Sequence, residues 1–208
     1  MTRGLALCLG LAVLGASACQ GADGVSAADP ARSYGPEDLE GLVLRPDEGP
    51  DETGFVEGAS GTMVLERFWP SSCCPAQQAA FDEAGFVEGY AALFERPGRS
   101  GVPIDTRPGF EQVSSRAALF RSDAGASEAM AEWLDYQDAA ELDPLPTRGL
   151  GEEAHAVVGS PAAPAETVVL YLWRMGRLLL YLRASVGTGS VPVERVRELA
   201  DRMDRRAT

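Results

Sequence analysis

The strongest constraint on this chain is a run near its C-terminal end: Thr167-Val-Val-Leu-Tyr-Leu-Trp-Arg-Met175, then Gly176-Arg177, then Leu178-Leu-Leu-Tyr-Leu-Arg-Ala-Ser185. Two apolar runs flanking a Gly-first dipeptide read as a β-hairpin with a two-residue turn. That turn sets the register, with Met175 facing Leu178, Trp173 facing Leu180 and Tyr171 facing Leu182. One face then carries Val169, Tyr171, Trp173, Met175, Leu178, Leu180, Leu182 and Ala184, which is core. The other carries Val168, Leu170, Leu172, Arg174, Leu179, Tyr181 and Arg183, and it is too apolar to stand bare in water. A helix, a neighbouring sheet or a ligand is expected to cover part of it.

The rest of the chain supplies that cover. Residues 193–206 place Val193, Val196, Leu199, Ala200 and Met203 on one stripe, with Glu198–Arg202 and Asp201–Arg205 as i,i+4 pairs. Residues 123–139 read as a second helix, with Ala126, Met130, Trp133 and Leu134 at helical spacing and Ser122 as its cap. Short helices are expected at 36–44, with Leu39, Leu42 and Val43 on one face, and at 76–84. Strands are expected at 54–67, 86–95 and 113–120. The predicted fold is α+β: one domain over residues 36–208, an antiparallel sheet packed on helices in two or three layers. Glu52–Gly58 is echoed at Glu83–Gly89, a similarity that chance in a Gly- and Glu-rich chain accounts for.

The N-terminal end points to a compartment. Arg3 precedes an apolar run at 4–14, which is too short for a membrane span of roughly 20 residues and suits a signal-peptide core. Ala16-Ser-Ala18 follows, then Cys19. This stretch resembles the lipobox of bacterial lipoproteins, in which a signal peptidase cuts before a Cys that carries diacylglycerol. The resemblance implies a signal peptide at 1–18, a lipidated Cys19 and attachment to the membrane through acyl chains. The chain has Ala16 where the family prefers Leu. Ala-Ser-Ala also fits ordinary secretion, so a soluble exported protein is the alternative. Residues 19–35 are small, polar and aperiodic, and read as a flexible tether.

Composition narrows the partners. The formal charge is −13 and all eighteen basic residues are Arg. So acidic a chain is not expected to bind nucleic acid, and electrostatic adhesion to anionic lipid is disfavoured as well. Three phrases, 119–130 (LFRSDAGASEAM), 149–157 (GLGEEAHAV) and 173–185 (WRMGRLLLYLRAS), resemble a pattern in exported lipoproteins of GC-rich bacteria. Such domains are similar in outline to the Mog1/PsbP-like α/β/α sandwiches, whose members are accessory or binding proteins. That resemblance implies a scaffold and carries over no catalytic residue.

The chemistry-bearing residues are few. His155 is the single histidine, no Gly-x-Ser-x-Gly surrounds a serine, and there is no Lys for Schiff-base or phosphate-loop chemistry. One His and a Cys pair do not make a closed zinc site, so neither metal nor cofactor is expected. Cys73 and Cys74 are adjacent, and Pro75 places them at a helix start. In an oxidising compartment the reading is a vicinal disulfide stapling the loop, with two thiols or a redox centre as alternatives. Arg174, Tyr181 and Arg183 share the second hairpin face and form a candidate site for an anionic ligand or a partner's carboxylate. The expected function is a membrane-tethered, non-enzymatic module binding a small ligand or an envelope protein. A thiol-redox or hydrolytic envelope enzyme is the alternative.

Overall fold

A computed structural model describes residues 33–68, 74–98, 109–138, 142–160, 167–187 and 192–208. Residues 1–18, Cys19, the tether as far as residue 32, and Cys73 lie outside that set. In chain order the elements are a 3-10 turn (Pro36–Asp38) leading into α1 (Leu39–Leu42), β1 (Gly54–Phe55), β2 (Gly61–Met63), α2 (Leu65–Phe68), α3 (Pro75–Glu83), β3 (Phe86–Glu95) and β4 (Phe110–Phe120). There follow α4 (Asp123–Asp138), β5 (Asp143–Pro144), β6 (Glu153–Gly159), β7 (Thr167–Met175), β8 (Leu178–Val186) and α5 (Val193–Ala207). The class is α+β.

The hairpin forms in the expected register, with Met175 opposite Leu178 and Tyr171 opposite Leu182. Gly176 has φ 53° and Arg177 is not in the left-handed region, so only the first turn residue needs a glycine. β8 pairs β4 antiparallel, and the order across the sheet is β1-β3-β4-β8-β7-β6-β5, with β2 also on β3. The hairpin therefore occupies the middle of the sheet, where both of its faces need cover.

Each face has its own core. On the first, Val196, Leu199, Ala200 and Met203 of α5, with Leu39, Leu42 and Leu44, bury Val169, Tyr171, Trp173, Leu180 and Leu182. On the second, Phe81 of α3 and Met130 and Trp133 of α4 bury Leu170, Leu172, Leu179 and Phe120. The result is three layers, helix on sheet on helix. Tertiary burial rather than propensity holds the short helices α1 and α2, which are too brief to persist alone.

The 54–67 segment departs from the single expected strand. It breaks into β1, a 3-10 turn at Glu57–Ala59, β2 and the start of α2. Gly61, the first residue of β2 after that turn, has φ 123°, a backbone conformation that favours glycine. Ser60 repairs the gap: its hydroxyl donates to the Val56 carbonyl at 2.8 Å and accepts the Leu93 N–H at 3.1 Å. The Glu52–Gly58 echo is not a structural repeat, because its counterpart at Glu83–Gly89 spans the end of α3 and the start of β3. The expected Asp201–Arg205 pair gives way to Arg197–Asp201 at 2.7 Å.

Ser122 caps α4 through its Oγ, which accepts the Gly125 N–H at 3.1 Å. A Cβ on Gly125 would stand 2.0 Å from the Ala84 carbonyl oxygen, so α4 begins in direct backbone contact with the end of α3. Gly125→Ala is therefore expected to cost about 1–3 kcal/mol in urea denaturation. Gly41→Ala in α1, where a Cβ meets nothing within 4 Å, is expected to be neutral or stabilising.

Candidate functional site

The second face changes character along its length. Under α3 and α4 it is apolar: Ala118 and Phe120 on β4, Leu179 on β8, Leu170 and Leu172 on β7. Further along, β4 presents Gln112, Ser114 and Arg116, and β8 presents Arg183 and Ser185. Ser114 pairs across the sheet with Arg183 and Arg116 with Tyr181. The two arginines are thus diagonal neighbours, roughly 7–8 Å apart by strand geometry.

Arg116 is held by neutral groups. Its guanidinium lies 5.3 Å from the Phe68 ring and 5.6 Å from the Tyr181 ring. Nε donates to Ser114 Oγ at 3.3 Å, and Nη1 donates to the Phe68 carbonyl, at the C-terminal end of α2, at 3.3 Å. Arg183 Nη1 donates to Ser185 Oγ at 3.2 Å and to Gln112 Oε1 at 3.5 Å. Gln112 Nε2 in turn donates to Glu95 at 2.8 Å. Ser114 and Ser185 are buried, so these hydroxyls sit within the layer rather than in open water.

The residues singled out by sequence separate along this face. Arg174 donates to Glu152 at 2.8 Å and lies 3.5 Å from Glu153, with Nη1 also on the Gly176 carbonyl. It stands four residues along β7 from Leu170, the partner of Arg183, which puts the two arginines about 13 Å apart. Tyr181 is buried beneath Trp133, with ring centroids 4.4 Å apart, and serves as the floor under Arg116. Arg183 keeps company with Arg116 instead. Arg116 falls within the strand expected at 113–120 but is not among the residues singled out there. Only the pairing of β4 with β8, far apart in the chain, places it beside Arg183.

The other candidates are dispersed. His155 is exposed on β6, opposite Leu172. Cys74 is buried at the N-terminal boundary of α3, with Pro75 in the first helical turn as expected. The vicinal pair includes Cys73 and so falls partly outside the described residues. Among the described residues, no group of three or more His, Cys, Asp or Glu is placed to hold a metal, and no helix is long and apolar enough to cross a membrane.

A concavity of about 230 Å³ lies between the 45–52 loop and α5, with Asp47, Asp51, Phe110, Glu198 and Arg202 in its lining. Its walls are pinned by ion pairs. Arg195 grips both oxygens of Glu52 at 3.2 Å and lies 4.8 Å from the Phe110 ring. Arg206 pairs with Glu48 and donates to the Val43 carbonyl at 2.6 Å. Burial pushes both carboxyls upward, yet the hydrogen bonds and charges outweigh it. For Glu48 these come from the Arg45 N–H and from Arg206; for Glu52, chiefly from Arg195. Both carboxyls are held below the usual range. On the far side of α5, burial raises Asp204 above the usual range despite its bond from the Gly151 N–H at 3.0 Å.

A depressed carboxyl stabilises the fold above its unfolded pKa, and that contribution is lost as pH falls through the folded value. Arg206→Gln is therefore expected to lower the urea-unfolding free energy by about 1–3 kcal/mol at pH 7. The difference is expected to be smaller at pH 3 than at pH 7, because protonation of Glu48 in acid removes the charge that Arg206 pairs with. An equal loss at both pH values would contradict the assignment.

No family model matches the chain, and no curated protein matches it. Among solved structures it is similar to the extracellular domain of PknH from Mycobacterium tuberculosis, with 10% sequence identity and a TM-score of 0.43 over 84% of this chain and 98% of that one.

Proposed function

We propose that the chain is an exported domain, held at the outer face of a cell membrane or in the periplasm by a lipid on Cys19, which binds a ligand or an envelope protein without turning it over. Export and anchoring rest on the sequence: Arg3, the short apolar run, Ala16-Ser-Ala18 and Cys19. Binding rests on one structural observation. In a sheet buried on both faces, the stretch of the second face around Arg116 and Arg183 is cationic and hydroxylated rather than apolar.

The geometry suits a tethered receptor surface. The chain enters the domain at Tyr34, whose hydroxyl donates to the Ala207 carbonyl and whose own carbonyl accepts from Arg177 in the hairpin turn. Arg183 lies five residues along β8 from Leu178 beside that turn, about 17 Å along the strand from it.

Detergent phase partitioning tests the anchor. The mature protein from its native host is expected in the detergent phase, and Cys19→Ser in the aqueous phase or unprocessed. Equal aqueous partitioning of both would favour the soluble secreted form. A thiol-exchange assay tests the non-enzymatic reading. Turnover by the wild type above a Cys73→Ser/Cys74→Ser double variant would overturn it in favour of a redox protein. Mass spectrometry of protein purified from the native membrane is expected to show a co-purifying ligand or envelope protein; recovery of neither would count against the binding reading.

A further inference from the structure

We propose that the cleft between the 45–52 loop and α5 binds a small ligand that carries both ammonium and carboxylate groups, with the ammonium groups in excess, as in a basic amino acid. The cleft lies on the α5 side of the sheet, apart from the arginine strip. The inference draws neither on the reading of that strip nor on the lipid anchor.

The first argument is the charge left open on the walls. Arg195, Glu198 and Arg202 line the cleft from one face of α5, and Asp47, Glu48 and Asp51 line it from the loop. Glu48 is taken by Arg206, and Arg195 by Glu52. Asp47, Asp51, Glu198 and Arg202 are exposed, and their side chains make no ion pair among the described residues. Glu198 and Arg202 stand at the i,i+4 spacing that favours a pair. At the same spacing Arg197 and Asp201 close to 2.7 Å, whereas on the cleft side the pair stays open. Three carboxylates and one guanidinium are thus left to a ligand with more ammonium than carboxylate.

The second argument is that other residues shape the walls. The Arg45 N–H donates to Glu48 at 2.7 Å, and the Thr53 hydroxyl and N–H donate to the Pro50 carbonyl at 2.8 and 2.9 Å. Gly49 packs so closely on the Phe94 ring that a Cβ would stand 2.2 Å from it. With Arg195 gripping both oxygens of Glu52 at 3.2 Å, these contacts fix the cleft before any ligand arrives, which lowers the entropic cost of binding. None of them uses the four open charges.

Size and polarity narrow the ligand. Pro50, Phe110 and Leu199 of the lining are buried, so charged side chains dominate the accessible wall and an apolar ligand has little to pack on. The 230 Å³ volume falls below the roughly 300–1,000 Å³ of drug-sized sites and suits a ligand of amino-acid size. Among the described residues no three carboxylates converge as a metal site requires, so the charges are spread as on an organic ligand. Arg202 offers its planar fork to the ligand's carboxylate, and Asp47, Asp51 and Glu198 accept from its ammonium groups.

Isothermal titration of the full mature protein with L-lysine, and with cadaverine, which is lysine without its carboxylate, tests the site. Saturable binding of lysine is expected, with cadaverine weaker by about tenfold, the loss of one charge-assisted contact. Arg202→Gln is expected to weaken lysine by about tenfold and to leave cadaverine bound at least as tightly. Asp47→Asn/Asp51→Asn is expected to weaken both ligands by about tenfold or more. Glu128→Gln/Asp135→Asn removes equal charge from exposed positions of α4, across the sheet, and is expected to bind both ligands as the wild type does. Thermal unfolding verifies that each variant is folded. Failure of lysine to saturate would overturn the proposal. So would equal affinity for lysine and cadaverine, unchanged lysine affinity in Arg202→Gln, or an equal loss in the α4 variant. Any of these failures leaves the reading under Proposed function standing, because no variant touches Cys19, Arg116 or Arg183.

Discussion

Burial of the β7–β8 hairpin on both faces is the constraint from which the rest of the architecture follows. Tyr171, Trp173, Leu180 and Leu182 on one side, and Leu170, Leu172 and Leu179 on the other, are all nearly inaccessible to water. Full burial of each such side chain is worth about 1.5–3 kcal/mol. A layer missing from either face would forfeit several of these contributions at once, a loss comparable to the whole stability of a typical domain. The sheet therefore needs α5 and the 39–44 segment beneath it and α3 and α4 above it.

α5 serves both as a core layer and as a tie between loops. Its apolar stripe seals the first face, while its flanks reach outward in two directions. Arg195 and Arg206 hold the 45–52 loop by Glu52 and Glu48. Arg197 donates to the Thr147 and Arg148 carbonyls, and Asp204 accepts from Gly151, so the loop ahead of β6 is held on the other side. Arg197 also lies 5.8 Å from the Tyr171 ring, joining that loop to the core. The two sets of carboxyls respond oppositely to pH. Ionised Glu48 and Glu52 stabilise their loop, whereas burial makes ionised Asp204 a cost that grows as pH rises through its raised value.

Much of this was legible in the sequence where the signal is local. The Gly176-Arg177 turn dictated the hairpin register, the stripe from Val193 to Met203 dictated α5, and Ser122 marked the start of α4. The demand for cover on the second face followed from alternation alone. What failed were inferences in which a local pattern competed with a distant partner. Residues 54–67 have strand-like composition, but their glycines and the Ser60 bonds, one of them to β3, yield two short strands, a 3-10 turn and the start of a helix. The grouping of Arg174 with Arg183 followed from a shared face, which says nothing of distance along it. Arg116 was invisible as a site residue because its neighbour is fixed by a long-range strand pairing.

The account's central claim is that the fold depends on burial of the β7–β8 hairpin from both sides. Urea denaturation of Leu180→Ala, on the first face, and of Leu179→Ala, on the second, tests this most directly. The claim predicts a loss of about 2–5 kcal/mol for each substitution. A substantial loss for one and none for the other would contradict it.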